Sequence, residues 1–283
     1  MDESKLKEIL ERHKEWILVA SSDALPQPAD HYLHEEKRAN LSGVDLSGMD
    51  LQNADLREAN LHNANLSRTN LTGANLSKAY LDSADLSHAK LTGANLSSAV
   101  LEKADLSNAD LQRANLTQAA LIGTNLVKAN LRWADLTDAE LDMAKGSSAN
   151  LRLANLSRTS VDDADFRHCD FLFANLSHAS FNDSDLSDSK IIGAKLQGTN
   201  FSRAILQKTD FRRAELGQTV FPASRHWRDS KLFLFQSLPE SINRFSETDA
   251  TEIKNNPLLA QYAADQAYLV EYREQHPFLY WLW

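Results

Sequence analysis

From Ala39 to Phe221 the chain repeats every five residues without insertion or deletion. The frame reads Ala39-Asn40-Leu41-Ser42-Gly43, then Ala74-Asn75-Leu76-Ser77-Lys78, and far down the chain Thr209-Asp210-Phe211-Arg212-Arg213. Taking the leucine position as the centre, centres fall at 41, 46, 51 and onward to 221, which makes 37 repeats. Leu, Phe, Ile or Val fills 36 of them and only Gly146 fails, so each repeat requires one large apolar side chain. Two residues earlier, 35 of 37 positions hold Ala, Ser, Thr or Cys, with Val44 and Met49 as exceptions, so that position requires a small one.

A period of five is neither the 3.6 of a helix nor the 2.0 of a flat strand. Within a repeat, however, the small and the large residue stand two apart, as on one face of a strand. Both can point inward while the other three point out. A chain that buries two residues in five and then turns must wind around its own axis, which predicts a β-solenoid. The turn chemistry agrees. Gly43, Gly48, Gly73, Gly93, Gly123, Gly193 and Gly198 stand two residues after a centre, where positive φ is tolerated. Asn and Asp dominate the position before the centre, and Ser or Thr often follows it. These side chains bond nearby backbone in turns.

The run of A-(D/N)-L-x-x units over residues 39–221 resembles the pentapeptide repeat family. The resemblance implies a right-handed, four-sided β-helix with one pentapeptide per side and four pentapeptides per coil. The 37 repeats then make about nine coils, with helical flanks at both ends. At about 4.8 Å between strands the rod would be roughly 45 Å long. The expected organisation is an N-terminal helical cap and linker over 1–38, the β-helix over 39–221, and a helical and aromatic segment over 222–283.

In the first flank, Leu6, Ile9, Leu10, His13, Trp16 and Ile17 recur at helical spacing, which predicts an amphipathic helix over 4–20. Pro26 and Pro28 mark a linker, and Asp30 to Arg38 suggests a short second helix. In the other flank, Pro222 stops the repeat, and Asn256-Pro257 opens a predicted helix reaching about Gln275. An open solenoid end exposes core and unpaired edges, so a cap at each end is expected. The stretch from Leu259 to Trp283, closing on Phe278-Leu279-Tyr280-Trp281-Leu282-Trp283, resembles a segment that follows pentapeptide repeats in some longer bacterial proteins. There, membrane-spanning helices come next.

Cys169 is the only cysteine and falls in a small inward slot, so it is expected to be buried in place of alanine, in keeping with a cytoplasmic location. Residues 1–5 are acidic without an apolar run behind them, so no signal peptide is expected. No apolar stretch is long enough to span a membrane. The net charge of −9 argues against general nucleic-acid affinity.

With four repeats to a coil, the sequence can be folded on paper. Side one carries centres 41, 61 and onward to 221, and its outward residues Asp82, Glu102, Glu140, Asp142, Asp162, Asp163 and Asp183 make an acidic face. Side three, opposite, carries centres 51, 71 and onward to 211, and is net basic. Two apolar ladders stand out. Tyr80, Val100 and Ala120 replace Asn or Asp on side one. On side three, Trp133, Leu153 and Phe173 share one register beside Leu172 and Ile192, a candidate interaction patch. That patch is expected to be covered by the C-terminal segment or by a second chain.

No His/Cys cluster has metal-ligand spacing, and the glycines are single turn residues rather than a phosphate loop. The expectation is a non-enzymatic chain without cofactor or metal: a protein–protein interaction scaffold, with a homodimer as one option. Two alternatives stay open. One is a membrane-associated regulatory module acting through the aromatic tail. The other follows from the resemblance, whose fluoroquinolone-resistance members resemble B-form DNA and bind DNA gyrase as dimers. The repeat region here, with 22 acidic and 18 basic residues, departs from the strongly acidic character such mimicry needs.

Overall fold

The computed structural model describes residues 2–20, 38–222 and 229–230. Helix α1 covers Glu3–Ala20. Asp2 caps it, its carboxylate accepting from the Lys5 amide at 2.8 Å. The suggested helix at 30–38 falls almost wholly outside the described residues, and the one over 256–275 does so entirely.

From Asn40 onward the chain winds in coils of four pentapeptides. Parallel bridges join each pre-centre residue to its counterpart four repeats on, in an unbroken series from Asn40↔Asn60 to Asn200↔Val220. Four such ladders run side by side, so each coil has four sides of one pentapeptide.

Hydrogen bonding explains the repeat. The pre-centre amide donates to the previous coil, as Asn60 does to the Ala39 carbonyl at 2.9 Å. The centre amide donates to the next coil, as Leu41 does to the Asn60 carbonyl at 2.7 Å. The residue two after the centre also donates forward, as Gly43 does to the His62 carbonyl at 2.8 Å. The small residue closes the turn on the preceding centre, as Ala59 does on Leu56 at 3.1 Å. The fifth amide, just after the centre, is taken by the pre-centre side chain, as Ser47 is by Asp45 at 3.0 Å. Asn or Asp therefore recurs before the centre because it satisfies a donor that no coil reaches.

The turn holds the second residue after the centre at positive φ, from Gly43 at 65° to Gln218 at 57°. This is the third position of a type II turn. Only 7 of these residues are glycine, so most of the ladder bears a left-handed residue at about 1–2 kcal/mol each. The ladder hydrogen bonds offset that cost. From 43 to 218 no Val, Ile or Thr occupies this register, although Thr72, Ile122 and Val127 stand one residue earlier. Branching at Cβ would add to the clash.

The small and central residues form one continuous core, with Ala74, Leu76, Ala79 and Leu81 all fully buried. Polar residues in the small slots bond backwards: Thr69, Thr124 and Thr199 each donate to the carbonyl of a centre in the preceding coil at 2.8 Å. Val44 and Met49 are only partly buried, in the first coil. Towards the C-terminal end phenylalanine replaces leucine, and Phe181, Phe201 and Phe221 stack with centroids 5.4 and 5.8 Å apart.

Gly146 marks a filled gap. A Cβ there would lie 2.4 Å from Cε1 of Phe166, one coil on, so that ring occupies the space a leucine would take. Gly146→Leu should therefore destabilise by about 1–3 kcal/mol through overpacking. Phe166→Leu should restore most of that loss in the double variant, so thermal melts of the four-member cycle should show strong coupling. A rise in melting temperature for Gly146→Leu alone would contradict the compensation.

Cys169 is buried, its thiol lying 3.0 Å from the Gly146 carbonyl, and burial pushes its pKa up to about 12. It should resist a disulfide exchange reagent at pH 8 in the native state and react fully only in denaturant. Stoichiometric labelling of native protein within minutes would show that the coil opens locally there.

Candidate interaction surface

The bridges Asn130↔Asn150 and Asn150↔Asp170 set three successive coils of side three in register. Trp133, Leu153 and Phe173 then follow one another along the rod, each in the left-handed turn position with φ of 59°, 60° and 57°. Trp133 and Phe173 remain 38% and 42% exposed, while Leu153, Leu172 and Ile192 are half-buried. The structure thus brings all five candidate patch residues onto one side. The C-terminal segment expected to cover them lies outside the described residues.

Cations hold the tryptophan. The Arg132 guanidinium stands 3.9 Å from the Trp133 ring centroid, and that of Arg113, one coil earlier in the same register, stands 5.1 Å away. Such contacts contribute about 0.5–2 kcal/mol and fix the ring. The buried Nε of Arg132 has no hydrogen-bond partner among the described residues, so the ring holds this side chain rather than a carboxylate. At the other end Phe173 lies across Gly193, where a Cβ would come within 2.4 Å of Cε1. A side chain at 193 would push the ring off. The sequence showed the basic residues and the apolar ladder, but not that Arg113 and Arg132 clasp Trp133. Signals were present in the one-coil offset from Arg113 to Trp133 and in the glycine one coil after Phe173.

On side one, Tyr80, Val100 and Ala120 follow in bridge register, with Tyr80 43% exposed and the Arg38 guanidinium 5.0 Å from its ring. Much of the acidic face is already engaged in the fold. Asp82 meets His62. Asp142 accepts from the Ser160 hydroxyl at 2.6 Å and the Asp162 amide at 2.9 Å. Asp162 repeats the arrangement with Ser180 and the Asn182 amide. Serine stands before the centre in those repeats, so the carboxylate one coil back satisfies the amide that Asn or Asp would take. Hydrogen bonding from Arg203 holds the Asp183 carboxyl below its usual range. Glu102, Glu140 and Asp163 lie along the same side.

Side two carries a shallow open groove that the sequence reading missed, lined by Ser47, Gly48, Ser67, Arg68, Ser87 and His88. Its signal was the Ser47, Ser67, Ser87 ladder. The Ser67 hydroxyl donates to the Asn65 side chain at 2.7 Å, a turn role. Among the described residues no group of three or more His, Cys, Asp and Glu is placed to hold a metal ion.

Among solved structures the chain is similar to HetL, a pentapeptide repeat protein involved in heterocyst differentiation regulation from the cyanobacterium Nostoc sp. strain PCC 7120. The identity is 26%, over 74% of this chain and 96% of that one, with a TM-score of 0.38. It is also similar to full-length QnrB1, a plasmid-mediated fluoroquinolone resistance protein, at 18% identity over 73% and 93% of the two chains, with a TM-score of 0.37. No curated protein sequence matches. The family model for pentapeptide repeats matches in 8 copies, over residues 39–77, 79–118, 114–145, 149–188 and 184–221. With that match running nearly the length of the coil, the chain belongs to the pentapeptide repeat family.

Proposed function

We propose that this chain is a non-catalytic, cytoplasmic scaffold that binds another protein through side three. The proposed rod is right-handed, of about nine coils, and presents side three as a straight strip. One observation carries the reading: three bulky apolar residues, Trp133, Leu153 and Phe173, stand consecutively in the register where side chains are costly. Elsewhere that register is filled mainly by Gly, Asn, Asp, Ser, His, Lys and Arg. Strain of this kind at an exposed site points to a role outside the fold. The aromatic and arginine composition is that of interface anchors, with Trp133 already immobilised and so losing little freedom on binding.

The charge around the ladder supports a partner with an apolar ridge and acidic margins. Arg113, Arg132, Lys190 and Arg213 all belong to side three. DNA mimicry finds less support, because the coil is close to neutral. For a membrane role, the described residues offer no helix long and apolar enough to cross a bilayer.

A photo-crosslinking residue at Leu153 should yield a discrete adduct in the native cell, while the same residue at Asp163 on side one should not. Leu153→Gly and Trp133→Gly, which relieve left-handed strain, should leave the melting temperature unchanged or raised while weakening capture at least tenfold. Equal adducts from both sides, or capture untouched by the glycine variants, would rule out side three as the binding surface.

A further inference from the structure

We propose that His13 is a proton-operated latch: its protonation releases helix α1 from the first coil and uncovers the N-terminal end of the rod. The geometry at that end is specific. In most later repeats the small residue's amide donates to the carbonyl three residues earlier, as Val44 does to Leu41 and Ala59 to Leu56. At Ala39 the acceptor is instead Nδ1 of His13, at 3.1 Å and far back in the sequence. The imidazole also meets the Arg57 backbone, an interaction that favours its protonated form, as a carbonyl acceptor does. In later coils the carbonyl at the corresponding position accepts from the previous coil, as the Ser77 carbonyl does from the Glu58 amide. One neutral ring therefore takes an acceptor's place at the edge where the described coil begins.

The rest of α1 joins the core around that ring. Leu6 is buried in the same cluster as Leu41, Leu46 and Leu51, Ile17 is buried, and Ile9 and Leu10 pack against the cluster from partly buried positions. His13 itself is fully buried. Its role as an acceptor from Ala39 requires Nδ1 to be unprotonated. A proton there would set one donor against another in a site closed to water.

Among the described residues the charged groups facing the ring are Asp55, Arg57 and Arg38. Burial lowers the His13 pKa most. Asp55 and the Arg57 backbone raise it, while the Arg57 and Arg38 charges lower it further, and the net shift is downward. Burial of Asp55 opposes its ionisation, but hydrogen bonds from Arg57 at 2.9 and 2.7 Å keep its carboxyl below the usual range, so it stays charged beside the ring. For a histidine whose folded pKa lies below its unfolded value, the docked form binds fewer protons. Its contribution is complete above the unfolded pKa, near 6.5, and is lost as pH falls through that value towards the depressed one. The docked helix is therefore stable at neutral pH and loosens in mild acid.

Hydrogen exchange of the full-length protein, corrected for intrinsic rates, tests this. Amide protection within α1 should fall between pH 7.5 and 5, by up to about tenfold for each pH unit below about 6.5 until the depressed pKa is reached, while residues 60–200 keep theirs. His13→Gln retains an acceptor and a donor but does not titrate, and should hold α1 protected at both pH values. Asp55→Asn keeps an acceptor for the Arg57 amide but removes the charge that favours imidazolium in the docked state, and should make release in acid more complete and move it to higher pH. Should Gln fail to dock even at pH 7.5, the Asp55→Asn displacement and the ¹⁵N shifts of the His13 ring, which should change together with release, decide the matter. Protection unchanged down to pH 5, or a release curve identical in wild type and Asp55→Asn, would overturn the latch.

Discussion

Five backbone amides recur in every pentapeptide, and the fold depends on the partners found for four of them in every coil and for the fifth in most repeats. Three go to neighbouring coils and one closes the turn. The last, where Asn or Asp stands before the centre, is met by that side chain, as in Ser47 on Asp45 and Thr117 on Asn115. Buried or ladder-bound donors left unsatisfied cost about 1–3 kcal/mol apiece, so across many repeats the requirement becomes decisive. Side one shows how firm it is: where Ser160 and Ser180 stand before the centre, Asp142 and Asp162 supply the acceptor from one coil back. Residues that look like an acidic surface are thus partly structural.

The same turn creates the surface available for function. Holding one residue per repeat at positive φ turns the side chain outward and makes it costly for anything branched or bulky. Against that background the Trp133, Leu153, Phe173 ladder stands apart, and Arg113, Arg132 and Gly193 shape it into a fixed relief. Rigidity here comes from the coil beneath, since each of these residues projects from a backbone bonded on both sides.

A stack of coils solves its own hydrogen bonding everywhere except at its ends. At the N-terminal end a helix packs on the first coil, and an imidazole takes the place of the carbonyl that a preceding repeat would have given. Replacing a carbonyl by a titratable nitrogen makes this end sensitive to protons in a way the interior cannot be. Thr69 and Thr124, buried in the interior, use hydroxyls that stay neutral across the physiological range.

The repeat by itself determined the architecture. An unbroken five-residue frame with a small and a large inward residue admits few windings, and one slip would move the whole hydrophobic set outward. It also determined which residues share a side, because stacking one coil apart follows from the frame alone. Phe166 could be read as the filler of the Gly146 gap on the same grounds, since the two stand one coil apart in a single ladder. Only the tertiary structure decided how side chains settle between coils. That Arg132 lies over Trp133 rather than reaching a carboxylate depends on rotamers the frame does not constrain. That His13 meets Ala39 depends on where a helix lands after a long intervening stretch of chain. Periodicity fixes registers within the coil, but a contact between the coil and something outside its period leaves no trace in the repeat.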